Sequence, residues 1–83
     1  MKNSTNFLAA DLGASNGRLL LARWDGARFD LDVIHRFPNG PVDVPGRQLW
    51  NVLGLWAAIK EGMARYVSAY GGTAASFGVD TWG

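Results

Sequence analysis

Between Phe7 and Phe37 three apolar runs follow one another with only two short turns between them, and this spacing leaves few ways to fold. Parallel neighbours need a crossover of a dozen or more residues, so strands joined this tightly pair antiparallel. Residues 7–11 (FLAAD) are short, apolar and soon followed by Gly13, and they read as a buried strand. Residues 18–24 (RLLLARW) read as a second strand. Asp25 followed by Gly26 is the strongest short hairpin signal in the chain, because a tight turn needs positive φ there. In residues 28–37 (RFDLDVIHRF) strict alternation puts Phe29, Leu31, Val33 and His35 on one face. Asp30, Asp32, Ile34 and Arg36 then fall on the other. The expectation is a three-stranded antiparallel meander.

Residues 38–48 (PNGPVDVPGRQ) hold all three prolines and two glycines, which reads as a loop. Asn51 can cap a helix over residues 52–70, whose apolar positions Leu55, Ile59, Met63, Tyr66, Val67 and Tyr70 form one stripe. Gly54 and Gly62 each weaken that helix by about 1 kcal/mol relative to Ala. Close packing on a sheet would explain Gly62, which lies beside the stripe. Gly71 and Gly72 then supply the C-cap. Residues 76–80 (SFGVD) form a fourth strand, parallel to the first because a helix separates it from the third. The fold class expected is α/β: meander, helix, parallel fourth strand, with one sheet edge unprotected.

Eighty-three residues allow one small domain, yet 48% are apolar and four are tryptophan, more than so short a chain can hide. A formal charge of +1 with scattered acids and bases gives no nucleic-acid stripe and no polybasic membrane patch. The absence of cysteine excludes disulfides and thiolate metal sites. No long apolar h-region follows the first residues, so the expected location is cytoplasmic. The closing run ASFGVDTWG ends on a strand, whereas termini are usually polar and surface-lying. The expectation is that residues 1–83 are the partial amino-terminal domain of a longer protein.

Chemistry concentrates at two places. In residues 11–18 (DLGASNGR) the turn reads either as a plain hairpin, with its glycines at positive φ and Asn16 tolerating the left-handed region, or as a phosphate-facing loop. Three details favour the second. Asp11 ends a buried strand and needs a hydroxyl, a metal-bound water or a backbone donor. Small residues leave successive N–H groups free to face an anion, and Arg18 follows as a neutralising cation. No Walker pattern is present, since this loop leads into a strand. The second place is Asp80, which emerges beside Asp11 at the carboxyl end of a parallel pair, where ligands gather in open α/β folds. It reads equally as a turn carboxylate. Trp82 offers an aromatic plane for a sugar, or a core residue. His35 reads as a hydrogen-bonded structural histidine, and Trp50 and Trp56 as packing residues. Metal clusters, serine triads and GxGxxG are all missing from the sequence.

The stretches FLAADLGASNGRLLLARWDG, VIHRFPNGPV, LWNVLGLWAAIKEGM and SFGVDTWG together resemble the amino-terminal part of the rhamnulokinase branch of the FGGY carbohydrate kinases. The resemblance implies a ribonuclease H-like, actin-like ATPase domain, ATP and Mg²⁺ as cofactors, and phosphorylation of L-rhamnulose at its 1-hydroxyl. Position by position it implies that Ala14, Ser15, Asn16, Gly17 and Arg18 contact ATP and that Asp11 orients Mg²⁺ or its waters. Gly83 would touch the sugar, with Asp80 and Trp82 near it. Asn16 stands where a second serine is common. The catalytic base is expected downstream of residue 83, so the isolated chain is expected to be inactive. Another sugar (fuculose or xylulose), a non-catalytic actin-like nucleotide-binding protein, and a self-standing interaction module are the alternatives.

Overall fold

The computed structural model describes residues 4–82. Strands β1 (Thr5–Leu12), β2 (Asn16–Trp24) and β3 (Phe29–Pro38) make the expected antiparallel meander. A hairpin of β4 (Pro41–Val44) and β5 (Arg47–Trp50) follows, then helix α1 (Val52–Tyr70) and strand β6 (Ser76–Thr81). The strand β6 pairs parallel with β1, so the main sheet has the order β3-β2-β1-β6. The α/β architecture expected from the sequence is the one observed.

The β4–β5 hairpin corrects the reading of residues 38–48 as a loop. Pro41 is the first residue of β4, where its missing N–H is tolerated. Gly46, after Pro45, has φ of 83°, the positive value that a Pro-Gly turn requires at its second central residue. The hairpin signal was therefore present, but the proline count obscured it.

A second correction concerns β3. The register with β2 shifts between Leu19 and Leu20, because Leu19 faces His35 and Leu20 faces Val33. Ile34 is the extra residue of a bulge, and a bulge breaks the alternation of faces. Phe29, Leu31 and Val33 therefore stay exposed, Leu31 at 63%, while His35 and Phe37 turn towards α1. Ile34 packs inward with them.

Asn51 caps α1 as expected, its Oδ1 accepting the Gly54 N–H at 2.9 Å. Gly71 ends the helix at φ 89°, its N–H donating to the Val67 carbonyl. The helix lies against β2 and β3 and buries Ile59, Gly62 and Tyr66 onto Leu8, Ala10, Leu19, Leu21 and Phe37. Each such large apolar side chain contributes about 1.5–3 kcal/mol of burial. Gly62 has the steric role expected, since a Cβ there would lie 2.8 Å from Leu19 Cδ2. Val67, placed on the stripe by periodicity, is instead exposed. The face opposite α1 is bare, as are Phe77 and Val79 of β6. The accessible surface of 5710 Å² exceeds the roughly 4,900 Å² typical of a compact monomer of this mass.

Candidate functional site

The site grows from the end of β1. Residues 13–15 turn the chain so that Leu12 pairs with Gly17, and the Gly13 N–H donates to the Asn16 carbonyl at 2.8 Å. Neither Gly13 nor Gly17 has positive φ, and among the described residues no side-chain-bearing residue does, Asn16 included. This corrects the conformational reading of the turn. Glycine is required at 17 for room, because a Cβ there would run into the Phe37 ring. At Gly13 a Cβ would sit 3.0 Å from the Asn16 carbonyl oxygen.

Ala14, Ser15 and Asn16 are exposed. The N–H groups of Ala14 and Ser15 donate to no acceptor among the described residues. Two of the three carbonyls of the turn are occupied. Asn39 Nδ2 donates to Gly13 O at 2.7 Å, and the Asn39 N–H donates to Ser15 O at 3.1 Å. Asn39 Oδ1 accepts the Gly40 N–H at 2.9 Å. Two amides thus lack a partner among the described residues while the Gly13 and Ser15 oxygens are tied back to Asn39. Unpartnered turn amides of this kind are suited to facing an anion.

Beside the turn, register aligns one charged residue from each strand of the sheet. Asp80 pairs with Asp11 in parallel, Asp11 with Arg18 and Arg18 with Arg36 antiparallel. Directly opposed residues share a face, so Asp80, Asp11, Arg18 and Arg36 form a row across the sheet. Alternation from buried Leu8 and Ala10 puts that row on the face away from α1. Asp11 is not the buried carboxylate expected. It and Arg18 are each 37% exposed and ion-paired at 2.5 Å, so the partner sought for Asp11 is Arg18. Pairs this exposed are worth about 0–1 kcal/mol, little enough for a competing anion to draw Arg18 away. Arg36 has no acidic partner among the described residues. It lines an open concavity of about 400 Å³ with Ser15, Asn16, Gly17, Phe37 and Pro38. Sequence reasoning missed Arg36 and Asn39 as site residues, since only the β2–β3 register and the fold of residues 38–40 bring them there.

Asp80 is exposed next to Asp11, as expected of two carboxylates at one end of parallel strands. Among the described residues no cluster of three or more His, Asp or Glu could enclose a metal by itself. A pair of carboxylates nonetheless suits Mg²⁺, which is usually held by one or two carboxylates together with substrate phosphates. Trp82 packs its ring against Trp50 of β5, centroids 4.6 Å apart at 54°. Trp50 is 42% exposed, so the two indoles leave aromatic surface open. Gly83, the remaining sugar-site residue expected, lies outside the described residues.

His35 is away from this row, beneath α1. Its Nε2 is 4.0 Å from a Glu61 carboxylate oxygen, and Nδ1 is buried without a hydrogen-bond partner. The expectation of a hydrogen-bonded histidine is thus corrected, while its structural placement stands. Trp56 is half exposed on α1, with Lys60 Nζ 5.6 Å from its ring centroid. No helix of the described residues is long and apolar enough to cross a membrane.

No family model matches the chain. It is similar to a rhamnulokinase of Bacteroides thetaiotaomicron, with 40% identity over 78 residues covering 94% of this chain and 16% of that protein. A rhamnulokinase of Mannheimia succiniciproducens is 41% identical over 80 residues, again with 94% and 16% covered. The chain therefore spans 16% of the length of these curated relatives. That likeness bears out the resemblance carried by the four motifs: over nearly all its length this is rhamnulokinase-like sequence, of the extent of an amino-terminal portion of such a carbohydrate kinase.

Proposed function

We propose that the chain is the phosphate-binding amino-terminal part of a longer, cytoplasmic, ATP-dependent sugar kinase that converts L-rhamnulose to L-rhamnulose 1-phosphate. The observation that carries this reading is the pair of unpartnered amides at Ala14 and Ser15, standing beside Arg18 and the adjacent carboxylates of Asp11 and Asp80.

In the reaction the sugar 1-hydroxyl oxygen forms a bond to the γ-phosphorus. The bond from that phosphorus to the β–γ bridging oxygen breaks, ADP leaves, and the hydroxyl proton passes to a base supplied from outside this chain. Positioning and charge neutralisation account for most of such a rate enhancement. The residues of this chain provide both. The amides of residues 14 and 15 orient phosphate oxygens, with Asn16 and Gly17 shaping the same wall. Arg18 exchanges its exposed pairing with Asp11 for the phosphates, which frees the Asp11 carboxylate. Asp11, with Asp80 beside it, would hold Mg²⁺ or its waters, and that ion supplies neutralisation of the phosphate charge when bound. Trp82, backed by Trp50, offers an indole face to the apolar side of a sugar ring.

The test is a competition assay on the intact protein with L-rhamnulose, L-fuculose and L-xylulose at fixed ATP, following ADP. The expected outcome is preference for L-rhamnulose. Preference for either other ketose rejects the sugar assignment. ATP binding with no ADP formed from any ketose replaces the kinase with a nucleotide-binding, actin-like protein.

A further inference from the structure

The Asn39 of the motif RFPNG is left without a role by the phosphate reading, yet it is hydrogen-bonded to two carbonyls of the turn. Three hydrogen bonds meet on this one residue. Its N–H holds the Ser15 carbonyl at 3.1 Å, its Nδ2 holds the Gly13 carbonyl at 2.7 Å, and its Oδ1 receives the Gly40 N–H at 2.9 Å. The last bond settles which way the amide points, because only Oδ1 can accept from an N–H. Phe37, two residues earlier, fills the space left by the missing side chain of Gly17. Residues 37–40 therefore form a seat on which the turn rests.

The chemical consequence concerns orientation. A peptide unit that turns its carbonyl one way points its N–H the other. Fixing the oxygens of Gly13 and Ser15 towards Asn39 fixes the N–H groups on the same two peptide units, those of Ala14 and Asn16. Preorganised donors cost no reorganisation when the anion arrives, and that is where their value lies. We infer that Asn39 is a positioning residue for nucleotide phosphate: it clamps the Gly13 and Ser15 carbonyls and so aims the Ala14 N–H, on the Gly13 peptide unit, at the β- and γ-phosphoryl oxygens.

This inference rests on the phosphate reading of residues 13–17, and the experiment separates the two. In the intact protein, binding of ADP and of adenosine is measured by calorimetry for wild type, Asn39→Asp, Asn39→Ala and Ser15→Pro. Asn39→Asp is nearly isosteric, and replaces the donor facing the Gly13 carbonyl by an acceptor. ADP affinity is expected to fall about tenfold in both Asn39 variants, with adenosine affinity and the KM for the sugar unchanged within twofold. Ser15→Pro deletes one of the amides and is expected to weaken ADP at least as much. If Ser15→Pro weakens ADP and neither Asn39 variant does, the clamp is overturned and the phosphate reading stands. If all three bind ADP as wild type does, the phosphate reading itself fails and takes the clamp with it. A loss shared equally by ADP, adenosine and the sugar shows a general structural role and overturns the proposal too. Asp25→Ala, which disrupts the turn at the far end of β2, is the folding control and is expected to leave ADP affinity unchanged.

Discussion

The two turns that bracket β2 solve the same problem in opposite ways. At the far end, Asp25 Oδ1 accepts the N–H groups of Ala27 and Arg28, at 2.9 and 3.0 Å, and Gly26 takes φ of 98°. That turn satisfies itself. Around it Arg23 is bonded to both Asp30 and Asp32, Tyr70 donates to Asp32, and Tyr66 joins Asn6 to the Thr73 carbonyl. At the near end the turn of residues 13–15 leaves two amides without a partner among the described residues and borrows its support from Asn39, 26 residues from Gly13. A turn that only reverses the chain consumes its own polar groups. A turn that leaves donors unspent needs bracing from elsewhere, because unsatisfied groups otherwise rearrange.

The largest effect expected from breaking this contrast is at Ser15. Ser15→Pro removes an unpartnered amide and should lower turnover with ATP about 100-fold, on the scale of losing one preorganised donor. Asp25→Ala in the far turn should cost stability and leave turnover intact. Steady-state kinetics on the two variants side by side decides it, and equal losses would erase the distinction between the turns. Next in size is Gly17→Ala, whose methyl must displace the Phe37 ring beneath the near turn. It should destabilise the intact protein by about 1–3 kcal/mol, measured by urea denaturation. An unchanged midpoint would mean that Gly17 is there for some reason other than room.

Tyr66→Phe probes the self-satisfied end. It leaves the buried Asn6 amide and the Thr73 carbonyl without the phenol that joins them. The expected cost is about 1–2 kcal/mol, with nucleotide binding untouched. The smallest effect is with acid. Hydrogen bonds from Arg23, then from Tyr70, hold the Asp32 carboxyl below its usual range, and the amides of Ala27 and Arg28 do so for Asp25. Carboxylates depressed in the folded state stabilise it above the unfolded value, and that contribution is lost as pH falls through the folded one. Denaturation midpoints should therefore hold from neutrality to about pH 5 and decline below about pH 4. Asp32→Asn should flatten the decline, and an unaltered curve would remove Asp32 from the account.

How far the site could be read from the residues differs from one to the next. The turn after Asp11 was legible as a turn because its evidence is local: small residues, an aspartate before them and an arginine after. The adjacency of Asp11 and Asp80 was legible from element order alone, since a helix between strands imposes a parallel partner. Arg36 was not, because its pairing with Arg18 is set by the β2–β3 register across a bulge at Ile34. That same bulge separates His35 from Leu31 and Val33, which alternation had placed together. Nor was Trp50 legible as a partner of Trp82, since it sits on a hairpin hidden in a proline-rich segment.

By itself the sequence determined the meander, the helix, the parallel last strand, the caps of α1 and the place of the turn after Asp11, because turn chemistry and periodicity act over a few neighbouring residues. The tertiary structure alone decided which charges stand in one row, which faces α1 covers and how Asn39 braces the turn. Those depend on register and on contacts between segments far apart in the chain, where a shift of one residue moves every side chain to the opposite face.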